Sequence, residues 1–197
     1  MLENLKPFYS TLLKPLAWIL IKFKIHPNVI TLTGACISPI AAWYIVQGKW
    51  FIAASLISVG GFMDGLDGLV ARTTGTRSRI GAILDSTSDR ITEIIWLFGV
   101  ILFYCSRPNG NPAICLTFAA MSGSLMVSYV RARCEGAGVP CSVGISQRPE
   151  RIVILIICLL CGPKVMVWGI LLLAVLSYTT VVQRLVAAFT FCKKNKN

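Results

Sequence analysis

The stretch MDGLDGLVARTTGTRSRIGAILDSTSDR, Met63 to Arg90, holds Asp64, Asp67, Asp85 and Asp89, half of the eight acidic residues in a chain of 197. On a helix at about 100° per residue, Asp64, Asp67 or Gly68, and Ala71 fall on one face, because residues three, four and seven apart are neighbours there. Gly81, Asp85 and Asp89 follow one another at four-residue spacing and form a second stripe. Between the stripes lies RTTGTRS, a polar segment with turn composition. Two helices joined by a short loop are predicted, each presenting carboxylates from one face, with glycine and alanine beside them to allow close approach.

The surroundings of this stretch are apolar. The chain is 55% hydrophobic and 14% charged, with a mean hydropathy of +0.73, against roughly 25% charged in soluble domains. An all-α membrane protein follows, and at ~20 residues per span its length suits about six transmembrane helices. Candidate spans run at about Val29 to Val46, Trp50 to Leu69, Ile80 to Tyr104, Ala113 to Val130, Ile152 to Cys161 with its flanks, and Val165 to Phe189. Ahead of them Leu2, Leu5, Tyr9, Leu12, Leu13, Leu16 and Leu20 recur at helical spacing, interrupted by Lys6 and Lys14, which suggests an N-terminal amphipathic helix lying in the interface. The expected organisation is therefore an interfacial helix over residues 1–26, a six-helix domain over 27–191 and a basic tail over 192–197. Residues 1–24 show no small-residue cleavage site of a signal peptide.

The net charge of +11 comes from 19 Lys and Arg. With both termini cytoplasmic, nearly all of them fall on that side and only Lys49, Arg107 and Lys164 on the other, as the positive-inside rule requires. That reading needs no nucleic acid partner. It assigns a multi-pass protein of the inner (cytoplasmic) membrane whose acid-bearing helix ends face the cytoplasm. Cys158 and Cys161 lie in RIVILIICLLCG with no second pair and no histidine beside them, and read as small core residues. His26, the sole histidine, precedes Pro27 at the start of the first span and reads as a cap. The five tryptophans read mostly as a headgroup belt.

Four carboxylates near hydrocarbon each lose several kcal/mol of hydration. Pairing with Arg72, Arg77, Arg79 and Arg90 would leave their matched helical faces unexplained; a divalent cation accounts for both. Carboxylate oxygens suit Mg²⁺ or Mn²⁺, and the lack of neighbouring His or Cys argues against zinc. The set has room for one ion or for two at the ~4 Å spacing of phosphoryl-transfer sites.

The pattern Asp64-x2-Asp67-Gly68-x2-Ala71-Arg72-x8-Gly81-x3-Asp85-x3-Asp89 resembles the signature of the CDP-alcohol phosphotransferase family, and HPNVIT at the first span fits the same family. The resemblance implies transfer of a substituted phosphate from a CDP-linked lipid to an alcohol, release of CMP, a homodimer and a cytoplasm-facing polar cavity. It implies that Asp64, Asp67, Asp85 and Asp89 are the ligands of Mg²⁺, with Mn²⁺ as the alternative and two ions expected, and that Asp89 is also the general base. Gly68, Ala71 and Gly81 would admit the nucleotide, Arg72 would meet its pyrophosphate, and Ser78 with Pro27, Asn28, Val29 and Ile30 would contact the CDP-lipid.

A second polar stretch, SYVRARCEGAGVPCSVGISQRPER, runs from Ser128 to Arg151. Ser128, Arg131, Arg133, Arg148 and Arg151 supply cationic and hydroxyl groups suited to a phosphate on the acceptor. Ser128 and Arg131 share a face at a spacing of three, and Arg148 and Arg151 repeat it. Within the family, SYVRAR followed by QRPER resembles the phosphatidylinositol phosphate and archaetidylinositol phosphate synthase branch. Lys often stands there in place of Arg131, and Glu in place of Gln147. The partners implied are CDP-diacylglycerol and a small phosphorylated polyol, inositol phosphate first and glycerol 3-phosphate as the alternative. A divalent-cation transporter is the competing class, but Arg72 between the carboxylate pairs would repel the ion.

Overall fold

The computed structural model describes residues 6–141 and 143–194; side chains of residues 6–10 and 12 lie outside the description. Among the described residues all regular structure is helical: α1 (Lys6–Lys22), α2 (Pro27–Val46), α3 (Trp50–Thr73), α4 (Arg79–Cys105), α5 (Asn111–Gly136), α6 (Arg148–Cys161) and α7 (Pro163–Lys194). The chain divides into two compact units, the first reaching to Phe103 and the second beginning at Tyr104.

In the first unit, α1 stops at a left-handed Lys24, φ 55°. Lys24 N–H donates to Ile21 O (2.9 Å) and Ile25 N–H to Leu20 O (3.0 Å), which satisfies the last carbonyls of the helix. His26 follows as the N-cap of α2: its backbone is extended and its Nδ1 accepts from Asn28 N–H at 3.2 Å, with Pro27 at the first helical position. The expected cap role of His26 is thus what the fold uses. Leu13 and Ala17 of α1, Ile30 of α2, and Leu66 and Val70 of α3 form one buried cluster, with Leu20, Ile21, Ile25, Met63 and Leu69 against it. This cluster packs α3 against α1 and α2. Gly34 brings α2 onto α3, since a Cβ there would lie 3.2 Å from Met63 Cβ, and Gly99 brings α4 onto Ala42 of α2. Small residues at helix crossings are what packing among lipid-facing helices requires.

In the second unit, α7 packs along α5 and α6. A Cβ on Gly123 would lie 3.0 Å from Ser177 Cβ, and Gly169 sits against Cys158 Sγ. Tyr178 and Ser122 share a hydroxyl hydrogen bond at 3.0 Å. Val127, Val130 and Val181 form the buried core beside Cys134. Gly162 turns the chain from α6 into α7 at φ 88°.

Among the described residues four helices, α2, α3, α5 and α7, are long and apolar enough to cross a membrane. Of the other two expected spans, α4 has 27 residues but carries Arg79, Asp85, Asp89, Arg90 and Glu93 between its start and its middle, and α6 has only 14 residues even with Arg148 to Arg151 included. Several boundaries differ from those read in the sequence. The last helix continues through Cys192, Lys193 and Lys194, so that much of the supposed tail is helical, and 195–197 lie outside the described residues. At the other end, Leu2 and Leu5 lie outside the described residues, as do the side chains of Tyr9 and Leu12. Of the rest of that stripe Leu13 is buried, Leu20 half-buried and Leu16 exposed, because α1 covers α3 with only part of its apolar surface. Cys161 is exposed whereas Cys158 is buried, and Trp96 is buried within α4 rather than at a helix end.

Candidate active site

The predicted pair of acid-bearing helices is present as α3 and α4, joined by an exposed loop at Thr74–Ser78 with Gly75 at φ 69°. Ser78 starts α4 as its N-cap: its Oγ accepts from Gly81 N–H at 2.9 Å, which occupies one of the amides that a helix start leaves without an internal partner. A Cβ on Gly81 would meet Ser78 Oγ at 3.0 Å and Asn28 Oδ1 at 3.2 Å. The bare glycine therefore lets the start of α2 reach the start of α4, and brings Asn28, Ser78 and Gly81 to one corner. Of the neighbouring candidates, Pro27 and Ile30 are buried, Ile30 within the α1–α3 core, while Val29 is exposed.

Asp64 of α3 and Asp85 and Asp89 of α4 converge, each half-buried, with ligand oxygens within 4.8 Å of one another. The set is chemically homogeneous: three carboxylates with hard oxygen donors and no thiolate or imidazole among them. Like charges this close repel unless a cation lies among them, and the donor type selects Mg²⁺ or Mn²⁺ over softer metals. These residues fit a divalent ion. Asp67, three residues after Asp64 on α3, is held differently from the trio. It is 5% exposed, and its Oδ2 accepts from the hydroxyl of Thr31 on α2. Arg72 is exposed and folds back one turn over Gly68, where an added Cβ would lie 3.2 Å from Nη1. Its guanidinium thus borders the face that carries Asp64, and Ala71, half-buried, lies beside it. A cation-binding carboxylate set with a guanidinium at its margin is equipped to hold a diphosphate.

The arginines of the second unit are arranged otherwise. Arg131 is exposed and its Nε donates to Glu135 Oε1 at 2.8 Å, one turn along α5; Arg133 is exposed too. Ser128 and Arg148 are half-buried. Arg151 is buried at 3% exposure, and its Nη1 donates to Ser146 O at 3.1 Å. Arg184 of α7 was not among the residues singled out in the sequence. Its guanidinium, 2% exposed, donates to Val143 O (2.9 Å) and Val127 O (2.6 Å), while Thr180 Oγ1 accepts from Ser146 N–H at 3.0 Å. Together they lay the α5–α6 loop along α7, where Gly144, at φ 136°, faces Thr180 Cγ2 so closely that no Cβ fits. An arginine in an otherwise apolar helix was itself the signal for Arg184. Thr31, which holds Asp67, had no comparable signal beyond its place in HPNVIT.

Three comparisons bear on this arrangement. A model of the CDP-alcohol phosphatidyltransferase family matches residues 24–189. Archaetidylinositol phosphate synthase of Methanothermobacter thermautotrophicus is 34% identical over 190 residues, 94% of this chain and 93% of the relative, and that of Pyrococcus horikoshii is 36% identical over 189 residues, 95% and 96%. Among solved structures, Mycobacterium tuberculosis phosphatidylinositol phosphate synthase with CDP-DAG bound superposes with a TM-score of 0.82 at 32% identity, covering 89% of this chain and 92% of that one. The same enzyme in complex with manganese and citrate gives the same score, covering 89% and 88%. The chain with converging Asp64, Asp85 and Asp89 belongs to the CDP-alcohol phosphatidyltransferase family.

Proposed function

We propose that this enzyme transfers the phosphatidyl group of CDP-diacylglycerol to a hydroxyl of an inositol phosphate and releases CMP. The convergence of Asp64, Asp85 and Asp89 beside Arg72 carries the reading, and the names and bound ligands of its relatives support the choice of substrates. In the bond change, the acceptor oxygen joins the lipid-linked phosphorus as the bridging P–O bond to CMP breaks, and the hydroxyl proton passes to Asp89. A bound divalent ion, Mg²⁺ or Mn²⁺ and in this reading a pair of them, supplies charge neutralisation of the pyrophosphate and polarises the phosphorus. Asp64, Asp67, Asp85 and Asp89 hold it, and Arg72 draws the pyrophosphate to the same face. Gly68, Ala71 and Gly81 leave room for the nucleotide, with Asn28 and Ser78 at the corner beside Gly81 and Pro27, Val29 and Ile30 completing the donor contact. A base one turn beyond a metal ligand, as Asp89 is to Asp85, is placed by its helix, and position governs proton transfer before pKa does.

Ser128, Arg131, Arg133, Arg148 and Arg151 receive the acceptor's own phosphate in this proposal. Residues 27–191 form the catalytic domain, with six spans in a cytoplasmic membrane, α1 at its interface, a homodimer as the assembly and the acids facing the cytoplasm. The test is CMP release from CDP-diacylglycerol with Mg²⁺ and separate acceptors. Inositol phosphate is expected to drive release well above water. Release with glycerol 3-phosphate, and none above water with inositol phosphate, would overturn the acceptor assignment.

A further inference from the structure

We propose that Thr31 is a positioning residue of the acidic site, holding the Asp67 carboxylate so that it meets a divalent cation in one fixed orientation. The inference rests on the metal-binding reading of the aspartates. Asp67 is the most buried of the four, and Asp64 and Asp85 are its like-charged neighbours. A buried carboxylate beside others needs donors, and Thr31 and the Gly68 N–H are the ones it has. The Thr31 hydroxyl carries one proton and has two acceptors in reach: Asp67 Oδ2 and, at 3.2 Å, Pro27 O of its own helix. An ionised carboxylate is the stronger acceptor of the two.

The contact depends on how closely α2 approaches α3. Gly34, one turn after Thr31, lies against Met63, one turn before Asp67. The helix crossing is thus set at the height of this hydrogen bond. With Oδ2 held by Thr31, rotation of the Asp67 carboxylate is stopped and Oδ1 is the oxygen left to offer. Groups that orient a metal-binding carboxylate in this way contribute about ten- to a hundredfold in metal affinity.

Mn²⁺ titration by calorimetry on the full chain in detergent, without nucleotide, tests this. Thr31→Val removes the donor and keeps the shape; it is expected to weaken Mn²⁺ binding about tenfold or more, and Thr31→Ser, which keeps the hydroxyl, to retain most of the parent's affinity. Parent-like or tighter binding by Thr31→Val overturns the proposal, as does an equal loss in Thr31→Ser or a parent that takes no Mn²⁺. If the unfolding midpoint shows that Thr31→Val does not fold, Thr31→Ala enters the same titration with the same outcomes. A parent that binds Mn²⁺ with the predicted Thr31 dependence yet releases no CMP with any acceptor refutes the functional reading and leaves this role standing. An active parent whose affinity is untouched by Thr31→Val refutes the role alone.

Discussion

The two units treat their charged residues in opposite ways. In the first, Asp64, Asp85 and Asp89 turn toward one another from two helices, close enough for their oxygens to share one cation. In the second, the most buried arginines, Arg151 and Arg184, point their guanidinium groups at backbone carbonyls and hold a loop in place. Clustered like charges favour a ligand of opposite charge, whereas the Arg184 guanidinium, matched to two carbonyls, supports the loop. Arg131 and Arg133, near the C-terminal end of α5, are exposed, and Arg131 donates to Glu135 of the same helix. The difference is one of partners: acids from two helices gather around a shared space in the first unit, whereas guanidinium groups meet backbone carbonyls in the second.

The largest effect is expected from the first unit. Chelation of divalent ions should take CMP release to background, with Mg²⁺ or Mn²⁺ restoring it; activity that survives thorough chelation would break the contrast at its acidic end. Next comes Arg184→Met, which leaves Val143 O and Val127 O without their charged donor. Hydrogen bonds from charged groups contribute about 1.5–3 kcal/mol each, so the unfolding midpoint should fall markedly; an unchanged midpoint would remove the supporting role. The smallest effect on stability belongs to Arg131→Gln, since an exposed pair along a helix contributes about 0–1 kcal/mol. There the expected change is in catalysis instead: an acceptor KM raised about tenfold at nearly constant kcat, the signature of a lost binding contact. A KM unaffected by Arg131→Gln would take Arg131 out of the acceptor site.

The sequence made the acidic half readable because its signal is local. Helical spacing alone puts Asp64 on one face and Asp85 and Asp89 on another, and the short connection between the helices, Thr74–Ser78, leaves few ways to arrange them. Asp67 illustrates the limit. Spacing places it with Asp64, but its partner Thr31 comes from 36 residues earlier, and only the α2–α3 crossing brings them together. Arg151 was legible as a cation near a helix start, but not as a donor to Ser146, because that contact depends on the path of the α5–α6 loop. That path in turn depends on Arg184, Thr180 and the backbone at Gly144, none of which forms a periodic pattern. The helices themselves were located well, apart from their ends: α7 runs on into the basic tail because lysines at a helix C-terminus favour its continuation.

The central claim, that the converged carboxylates perform the transfer, is tested most directly by Asp89→Asn. The substitution keeps the size of the side chain and removes its basicity. With an unfolding midpoint equal to the parent's, CMP release in the presence of inositol phosphate should fall by about 10²- to 10⁴-fold. Turnover close to the parent's in that folded variant would contradict the assignment of Asp89 as the base.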